Sequence, residues 1–367
     1  MTAGFSAFRR LVAFAMALAV LLSLFLSSPA SAAQTSNLKS DQEVVFYPAL
    51  AYPVGKGKWE IQFHGCVFEP EKRVIPIALL RQILALDHIH FTPAENKLFK
   101  ERARLFMIDE KSGRKIVIRL GDKTYKLDKS QANGQFIGTL SFTEAEIRKL
   151  RQSVTNFQLV LKSKDTRQFF GEIHFVDEAG IIVISDIDDT IKVTAVGNRN
   201  ATLRNTFLMP FKAVDGMPEL YRGWAATNHA AFLYVSASPW QLYAPLADFL
   251  RDSNFPAGAF FLKTVDFKDK TFFALFQSPD QYKPGVIEPL MKRFPHRKFV
   301  LVGDSGEQDP EIYAALARKY PDQIRQIFIR DLSAGAQEER FSKAFEGLSP
   351  QLWKTFTDPS AISNLAP

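Results

Sequence analysis

Apolar and polar positions follow two different rules along this chain. Between residues 43 and 175 they alternate in short runs, among them "KWEIQFHGCVF" (58–68), "RARLFMID" (102–109), "RKIVIRL" (114–120), "QFIGTLSF" (135–142) and "QFFGEIHFV" (168–176). Aromatic and β-branched residues at a period of two predict strands, and "KSGRK", "NGQ" and "DEAG" punctuate them as turns. Short strands at this spacing point to a sandwich or a small barrel. One segment breaks the rule: "IPIALLRQILAL" (75–86) has its apolar residues at helical spacing.

From Gly180 the runs become continuous. "IIVIS" (181–185), "AAFLYVS" (230–236) and "KFVLVGD" (298–304) do not alternate, as expected of strands buried on both faces of a parallel sheet. Helical patterns separate them: "MPELYRGWAA", "WQLYAPLADFLRD", "VIEPLMKRF" and "DPEIYAALARKY", and "IRQIFIRD" closes the series as a further strand. Alternating β and α units predict an α/β, Rossmann-like doubly wound fold. The expected organisation is a β-rich, sandwich-like region over 41–177 and an α/β region over 178–345, with the boundary near Asp177 to Gly180. After Asp331 the tail is expected to be helical and then to fray near 359–367.

Each continuous run ends in polar residues: "SDIDDT", "VSAS" and "VGDSGEQD". Ligands of open α/β sheets bind at the carboxyl ends of the strands, so Asp186, Ser236 and Asp304 are expected at one rim. Asp186 and Asp188 are two apart, and Asp304 arrives from another strand. Carboxylates converging on one spot repel unless a cation is present, and hard oxygen ligands select Mg²⁺, which keeps waters and substrate phosphate in its shell. Ser236 offers a hydroxyl and a backbone N–H to phosphate oxygens. Lys283, in "YKPGVIEP", precedes a proline suited to the first helical position, where an ammonium is a natural counter-charge for a phosphoryl group. Asp304 and Asp309 bracket a turn that can hold the cation.

Composition narrows the setting. With 46 Lys plus Arg against 39 Asp plus Glu, the chain carries +7, without the basic clusters that mark nucleic-acid binding. Arg9 and Arg10, the apolar run from Leu11 to Leu26 and the small residues around Ala30 to Ala32 read as a secretory signal over 1–32, so an exported protein, periplasmic or secreted, is expected. Cys66 is the single cysteine; it lies in an apolar run and reads as a buried, inert thiol.

Asp-x-Asp-x-Thr after a buried strand, a serine ending a later strand, an isolated lysine, then Gly-Asp with a second acid downstream resemble the haloacid-dehalogenase superfamily of phosphohydrolases. Within it, "SDIDDTIKVT", "FLYVSASPWQLY" and "KFVLVGDSGEQDPEIY" resemble the actin-patch-associated phosphatidate phosphatase catalytic domain family, over about 181–331. The resemblance implies that Asp186 is a nucleophile forming an aspartyl phosphate and that Asp188 is the general acid and then the base. It implies that Thr190 supports the loop, that Ser236 and Lys283 hold the phosphate, and that Asp304 binds Mg²⁺ with Asp186 and the Asp188 carbonyl, Asp309 assisting. The implied substrate is phosphatidate, converted to diacylglycerol and phosphate, with transient contact to a membrane surface. A phosphatase of soluble monoesters and a non-catalytic phosphatidate-binding module are the alternatives; retention of Asp186 and Asp188 argues against the second.

"NFPAGAFFLKTVDFKDKTFFALF" (254–276) carries seven phenylalanines between the serine and lysine motifs. Core packing of a strand and a helix is one reading of it; a lipid-facing rim with lysines for anionic headgroups is the other. "FLKTVDF" stands where the family has an Arg-Asp pair, which bears on headgroup specificity and not on phosphoryl chemistry.

Overall fold

The structure, a computed structural model, describes residues 34–70, 78, 81, 82, 84, 86, 89–154, 156–228, 230–264 and 282–365. The 1–32 signal and most of the 75–86 helix lie outside the described residues, as do Phe267, Phe272 and Phe273.

Strands β1 (Glu43–Gly55) and β2 (Lys58–Glu69) form an antiparallel hairpin closed by Lys56 and Gly57. Both turn residues have positive φ, 53° and 68°, the combination whose twist matches that of the flanking strands. Helix α1 (Pro93–Arg104) corrects the strand expected over 102–109. Thr92 Oγ1 accepts the Glu95 N–H at 3.2 Å, the Glu95 carboxylate accepts the Thr92 N–H at 2.8 Å, and Pro93 opens the first turn. This capping box decides the conformation over the alternating pattern downstream. Only β3 (Asp109–Glu110) is left extended there.

Strands β4 (Val117–Leu120), β5 (Lys123–Lys126) and β6 (Gln135–Thr143), helix α2 (Glu144–Ser153), and strands β7 (Asn156–Leu159) and β8 (Phe170–Phe175) complete this region. The sheet order is β3-β2-β1-β8-β7-β4-β5, with β6 also paired to β2. Phe63 of β2 and Phe157 of β7 are not on neighbouring strands, yet their rings lie 4.8 Å apart, and Phe46 meets the same ring at 4.8 Å. The sheet therefore curls so that β1, β2 and β7 enclose one aromatic core.

The second sheet is parallel, in the order β11-β10-β9-β12-β13-β14: β9 (Gly180–Ser185), β10 (Ala231–Pro239), β11 (Gly258–Lys263), β12 (Arg297–Asp304), β13 (Ile324–Arg330) and β14 (Trp353–Phe356). Helices α3 (Arg199–Phe207), α4 (Met217–Asn228), α5 (Tyr243–Asp252), α6 (Tyr282–Arg293), α7 (Asp309–Lys319) and α8 (Glu338–Ala344) connect or follow the strands. Successive strand residues serve opposite cores. Val183, Val300, Val302 and Phe328 pack with Tyr221 and Trp224 of α4, while Ile184, Leu301 and Ile327 pack with Ile287 of α6 and Tyr313 of α7. Both faces are apolar because both are covered, which is why the runs do not alternate. The tail departs from expectation: β14 adds a sixth strand beside β13, and Ile362, in a 3₁₀ turn over Pro359–Ile362, is buried and not frayed.

The two regions share packing. Tyr47 of β1 meets the ring of Tyr243 at 4.9 Å, and Tyr52 meets Phe294 at 5.7 Å. Cys66 is fully buried, and burial pushes its thiol well above the ordinary range, which suits an inert side chain. No described helix is long and apolar enough to cross a membrane.

Candidate active site

The parallel ladder carries one residue past β9: the Asp186 N–H donates to Val302 O at 2.9 Å, fixing the backbone beside β12. The chain then closes a tight loop. Ile191 and Lys192 N–H both donate to Ile187 O, at 3.0 and 2.9 Å, and Ile187 and Ile191 are fully buried beneath it. Asp189 sits in the left-handed region, φ 56°, and its carboxylate accepts the N–H groups of Thr194, Ala195 and Val196 at 2.8, 2.8 and 2.6 Å. Arg330 Nη1 donates to Asp189 O at 2.6 Å. Asp189, which has no role in the sequence reading, is the clamp that shapes the loop, and Arg330 props it.

The loop sends Asp186 and Asp188 in different directions. Thr190 Oγ1 donates to Asp186 Oδ2 at 2.9 Å and lies 3.3 Å from Asp304 Oδ2, so the threonine ties the two strand ends together. Among the described residues Asp186 Oδ1 accepts no hydrogen bond; it faces Lys283 Nζ as an ion pair at 3.0 Å. Lys283, in the first turn of α6 and fully buried, also reaches Asp309 Oδ1 at 2.5 Å and Glu307 Oε2 at 2.9 Å. Asp309, at the start of α7, accepts the Asp304 N–H on Oδ2 at 3.2 Å. That approach requires Gly303, where a Cβ would lie 2.2 Å from Asp309 Oδ2.

Asp188 belongs to a second cluster. Its Oδ2 accepts the hydroxyls of Ser236 and Ser238 at 2.9 and 2.7 Å, at the end of β10. Its Oδ1 meets Lys192 Nζ and Thr194 Oγ1, both at 2.8 Å. The structure thus brings all seven predicted residues to the carboxyl edge of the sheet. Asp186, Thr190, Lys283, Asp304 and Asp309 share one cluster, and Asp188 and Ser236 share the adjoining one. Ser238, Glu307, Lys192 and Thr194 carry no role in the sequence reading. All four stand inside the quoted motifs, and Lys192 follows Asp188 by four residues within a tight turn, not a helix.

Charge separates the clusters. Burial pushes the Asp186 carboxyl well above the usual range; Lys283 pulls the other way, while Asp309, Glu307 and Asp304 add to the push. Burial likewise raises Asp304, with Asp309 beside it. Burial opposes the Lys283 ammonium, but Asp186, Asp309 and Glu307 outweigh it and hold the proton on. For Asp188 burial is overcome: Lys192 and the hydroxyls of Ser238 and Thr194 hold the carboxyl below the usual range.

The donor set fits a hard divalent cation. Asp186, Asp304 and Asp309 each offer one oxygen, all within 4.8 Å of one another and all buried. With Glu307 they make a group of four carboxylates, and Lys283 is the ammonium that meets three of them among the described residues. Such an excess of buried negative charge is costly unless protons or a cation offset it. Oxygen-only ligands suit Mg²⁺ or Ca²⁺ over softer metals. The Asp188 carboxylate is turned away from this group, so only its backbone carbonyl is left to serve a cation there.

Of the phenylalanine-rich segment, Phe255 is buried, and Phe260 and Phe261 of β11 are half-buried. Phe260 packs on Tyr234 and Tyr243, with ring centres 5.5 and 5.2 Å apart. These three are core or core-edge residues.

Residues 181–331 match the family described as "Phosphatidate phosphatase APP1, catalytic domain". Phosphatidate phosphatase APP1 of Saccharomyces cerevisiae is 40% identical over 160 residues, 43% of this chain and 27% of that protein. Uncharacterized protein C29B5.04c of Schizosaccharomyces pombe is 29% identical over 236 residues, 62% of this chain and 37% of that protein. The chain thus spans roughly a quarter to under two-fifths of these relatives, 27% and 37% of their lengths. A crystal structure of a haloacid dehalogenase-like hydrolase from Burkholderia xenovorans LB400 aligns with 51% of this chain and 96% of its own, at 13% identity and a TM-score of 0.33. The family resemblance carried by the strand-end motifs holds for the segment 181–331.

Proposed function

We propose that the protein is a phosphoric monoester hydrolase acting through an aspartyl phosphate, with Mg²⁺ as its cation and phosphatidate as its substrate. The observation that carries this reading is the Asp186 carboxylate, which meets a buried lysine on one oxygen and is tied through Thr190 to a second acidic strand end on the other. A phosphoryl group entering between Asp186, Ser236 and Lys283 meets a nucleophile, a hydroxyl and an ammonium together. Asp304 and Asp309 would hold the cation with Asp186, and Mg²⁺ bound there would supply positive charge to the phosphate oxygens.

In this reading an Asp186 oxygen bonds to phosphorus as the bond from phosphorus to the alcohol oxygen breaks. Asp188 gives that oxygen a proton, then takes one from the water that cleaves the aspartyl phosphate. This splits one difficult displacement into two easier ones. Against the opposing effect of burial, Lys192 and the hydroxyls facing Asp188 favour its anion. A phosphate monoester brings negative charge beside it and draws Ser236 away, and both changes favour its proton.

The matched segment supports phosphatidate as the substrate, because the family and the yeast relative carry that activity in their names. Its diacylglycerol moiety implies transient contact with a membrane surface. The first 32 residues fit an export signal, which would place the mature protein in the periplasm or outside the cell. We take 41–177 as a β-rich unit preceding the phosphatase unit. The test is phosphate release from phosphatidate in mixed vesicles and from soluble monoesters, with Mg²⁺ and with chelator, for the native protein and Asp186→Asn. Release that persists in Asp186→Asn rejects the mechanism, and release from soluble monoesters alone rejects the lipid substrate.

A further inference from the structure

Lys192 is 2% exposed, and no step above uses it. Its Nζ lies 2.8 Å from Asp188 Oδ1 and 2.5 Å from Thr194 Oγ1, and Thr194 Oγ1 itself lies 2.8 Å from the same Asp188 oxygen. The ring of Phe211 closes the far side, 4.8 Å from Nζ. A lysine this deep costs several kcal/mol in lost hydration unless its partner offsets it. The loop does not need that expense for its shape: Ile187 and Ile191 anchor it and Asp189 clamps it through three backbone N–H groups.

The consequence falls on Asp188. Oδ1 is enclosed by an ammonium and a hydroxyl, both aimed at it. Oδ2 faces the opposite way, toward Ser236 and Ser238. An ammonium can only donate, whereas the two serine hydroxyls can turn to accept, so a proton carried by this carboxyl sits on Oδ2, the oxygen beside the proposed phosphate-holding serine. We propose that Lys192 is a positioning residue: by capping Oδ1 it dedicates Asp188 Oδ2 to proton exchange with the leaving alcohol and then with the attacking water. The inference rests on the phosphatase reading and adds a residue to it. In the first step the Oδ2 proton passes to the alcohol oxygen as its bond to phosphorus breaks and the Asp186–phosphorus bond forms. In the second, a proton from water returns to Oδ2 while the water oxygen bonds to phosphorus and the Asp186 carboxylate is released.

A leaving group that needs no proton separates this role from a structural one. The full chain is assayed with Mg²⁺ on dioctanoyl phosphatidate, whose leaving group is an alkoxide, and on 4-nitrophenyl phosphate, whose leaving group departs as a stable anion. Proton transfer to a leaving group contributes about 10²–10⁴-fold, so misplacing it in Lys192→Met should lower kcat/KM for phosphatidate by roughly 10- to 100-fold and for the aryl ester by less than about threefold. Inhibition by inorganic phosphate should be unchanged. Lys192→Arg should recover part of the loss. Thr194→Val, which keeps volume and leaves the lysine, should show the same asymmetry more weakly; it carries the test where Lys192→Met does not fold. Equal losses on the two substrates in folded protein, or no loss on phosphatidate, overturn the proposal. A native protein inactive on both substrates sinks the phosphatase reading, and this inference with it.

Discussion

The guanidinium of Arg102 lies 3.9 Å from the centre of the Phe211 ring. Arg102 belongs to α1, within the β-rich region, and Phe211 follows α3, in the α/β region. The same ring stands 4.8 Å from Lys192 Nζ, so the β-rich region reaches the neighbour of Asp188 through one intervening side chain. Arg102 Nη1 also donates to Thr206 O at 2.5 Å and Met209 O at 2.8 Å, where α3 ends and its last carbonyls lack partners. Burial pulls the guanidinium down to about 10, still charged at neutral pH.

Arg102→Met should therefore weaken the fold and the site together. It leaves the two carbonyls without their charged donor and removes the cation over Phe211. Loss of a buried, charged hydrogen-bonding group of this kind costs about 2–4 kcal/mol. Urea unfolding should show the drop, and kcat/KM for phosphatidate should fall in protein that remains folded. An unchanged midpoint would mean that α3 is held by its other contacts.

Metal removal offers a second check. Asp186, Asp304 and Asp309 repel one another around a single lysine. Asp186→Asn removes one of those charges, so it should melt higher than the native protein when both are metal-free, while releasing no phosphate. Mg²⁺ should raise the melting temperature of the native protein, and raise that of Asp304→Asn much less, as expected when a ligand binds only the folded state. Equal Mg²⁺ shifts in both proteins would place the cation elsewhere.

Much of the site is legible in the sequence because its parts are strand ends. "IIVIS", "AAFLYVS" and "KFVLVGD" announce buried parallel strands, and β9, β10 and β12 deliver Asp186, Ser236 and Asp304 to one edge. The remainder depends on side chains meeting across the loop. Asp189 takes no role from the sequence, where a solvated acid and a supporting acceptor read alike, because nothing in "DIDDT" reveals that three N–H groups will turn toward it. Nothing local in the sequence marks Lys192, because Phe211, which closes over it, lies nineteen residues away. For α1 the sequence carries two conflicting signals: Thr92, Pro93 and Glu95 spell a helix start, and "RARLFMID" alternates like a strand. Strand β14 has only four residues, too few to register as a pattern.

Asp189→Ala should test the clamp separately from chemistry. It removes the acceptor of three N–H groups and places alanine at a φ of 56°, a conformation that costs a non-glycine residue about 1–2 kcal/mol without a local hydrogen bond. Activity should fall on alkyl and aryl phosphates alike, because Asp186 and Asp188 both lose their placement. Asp189→Asn, which tolerates the backbone and keeps one acceptor oxygen, should retain more. A loss confined to alkyl phosphates would give Asp189 a part in proton transfer that its contacts do not provide.

The phenylalanines of 254–276 should divide by position. Phe260→Ser removes a ring packed on Tyr234 and Tyr243 and should destabilise the protein by about 2–3 kcal/mol, whatever the substrate. Phe267 on one side and Phe272 and Phe273 on the other flank Lys268 and Lys270 in a stretch whose composition suits contact with an anionic lipid surface. Changing all three to Ser should leave the unfolding midpoint within experimental error. It should lower vesicle binding and phosphatidate turnover by tenfold or more, since each aromatic that enters an interface contributes roughly 1.5–3 kcal/mol. Hydrolysis of 4-nitrophenyl phosphate should persist, because Asp186, Asp188, Ser236, Lys283 and Asp304 are untouched. Unfolding of the triple variant would assign those residues to the core. Unchanged vesicle turnover in a folded triple variant would remove the segment from membrane contact and leave the lipid to be gripped by another surface.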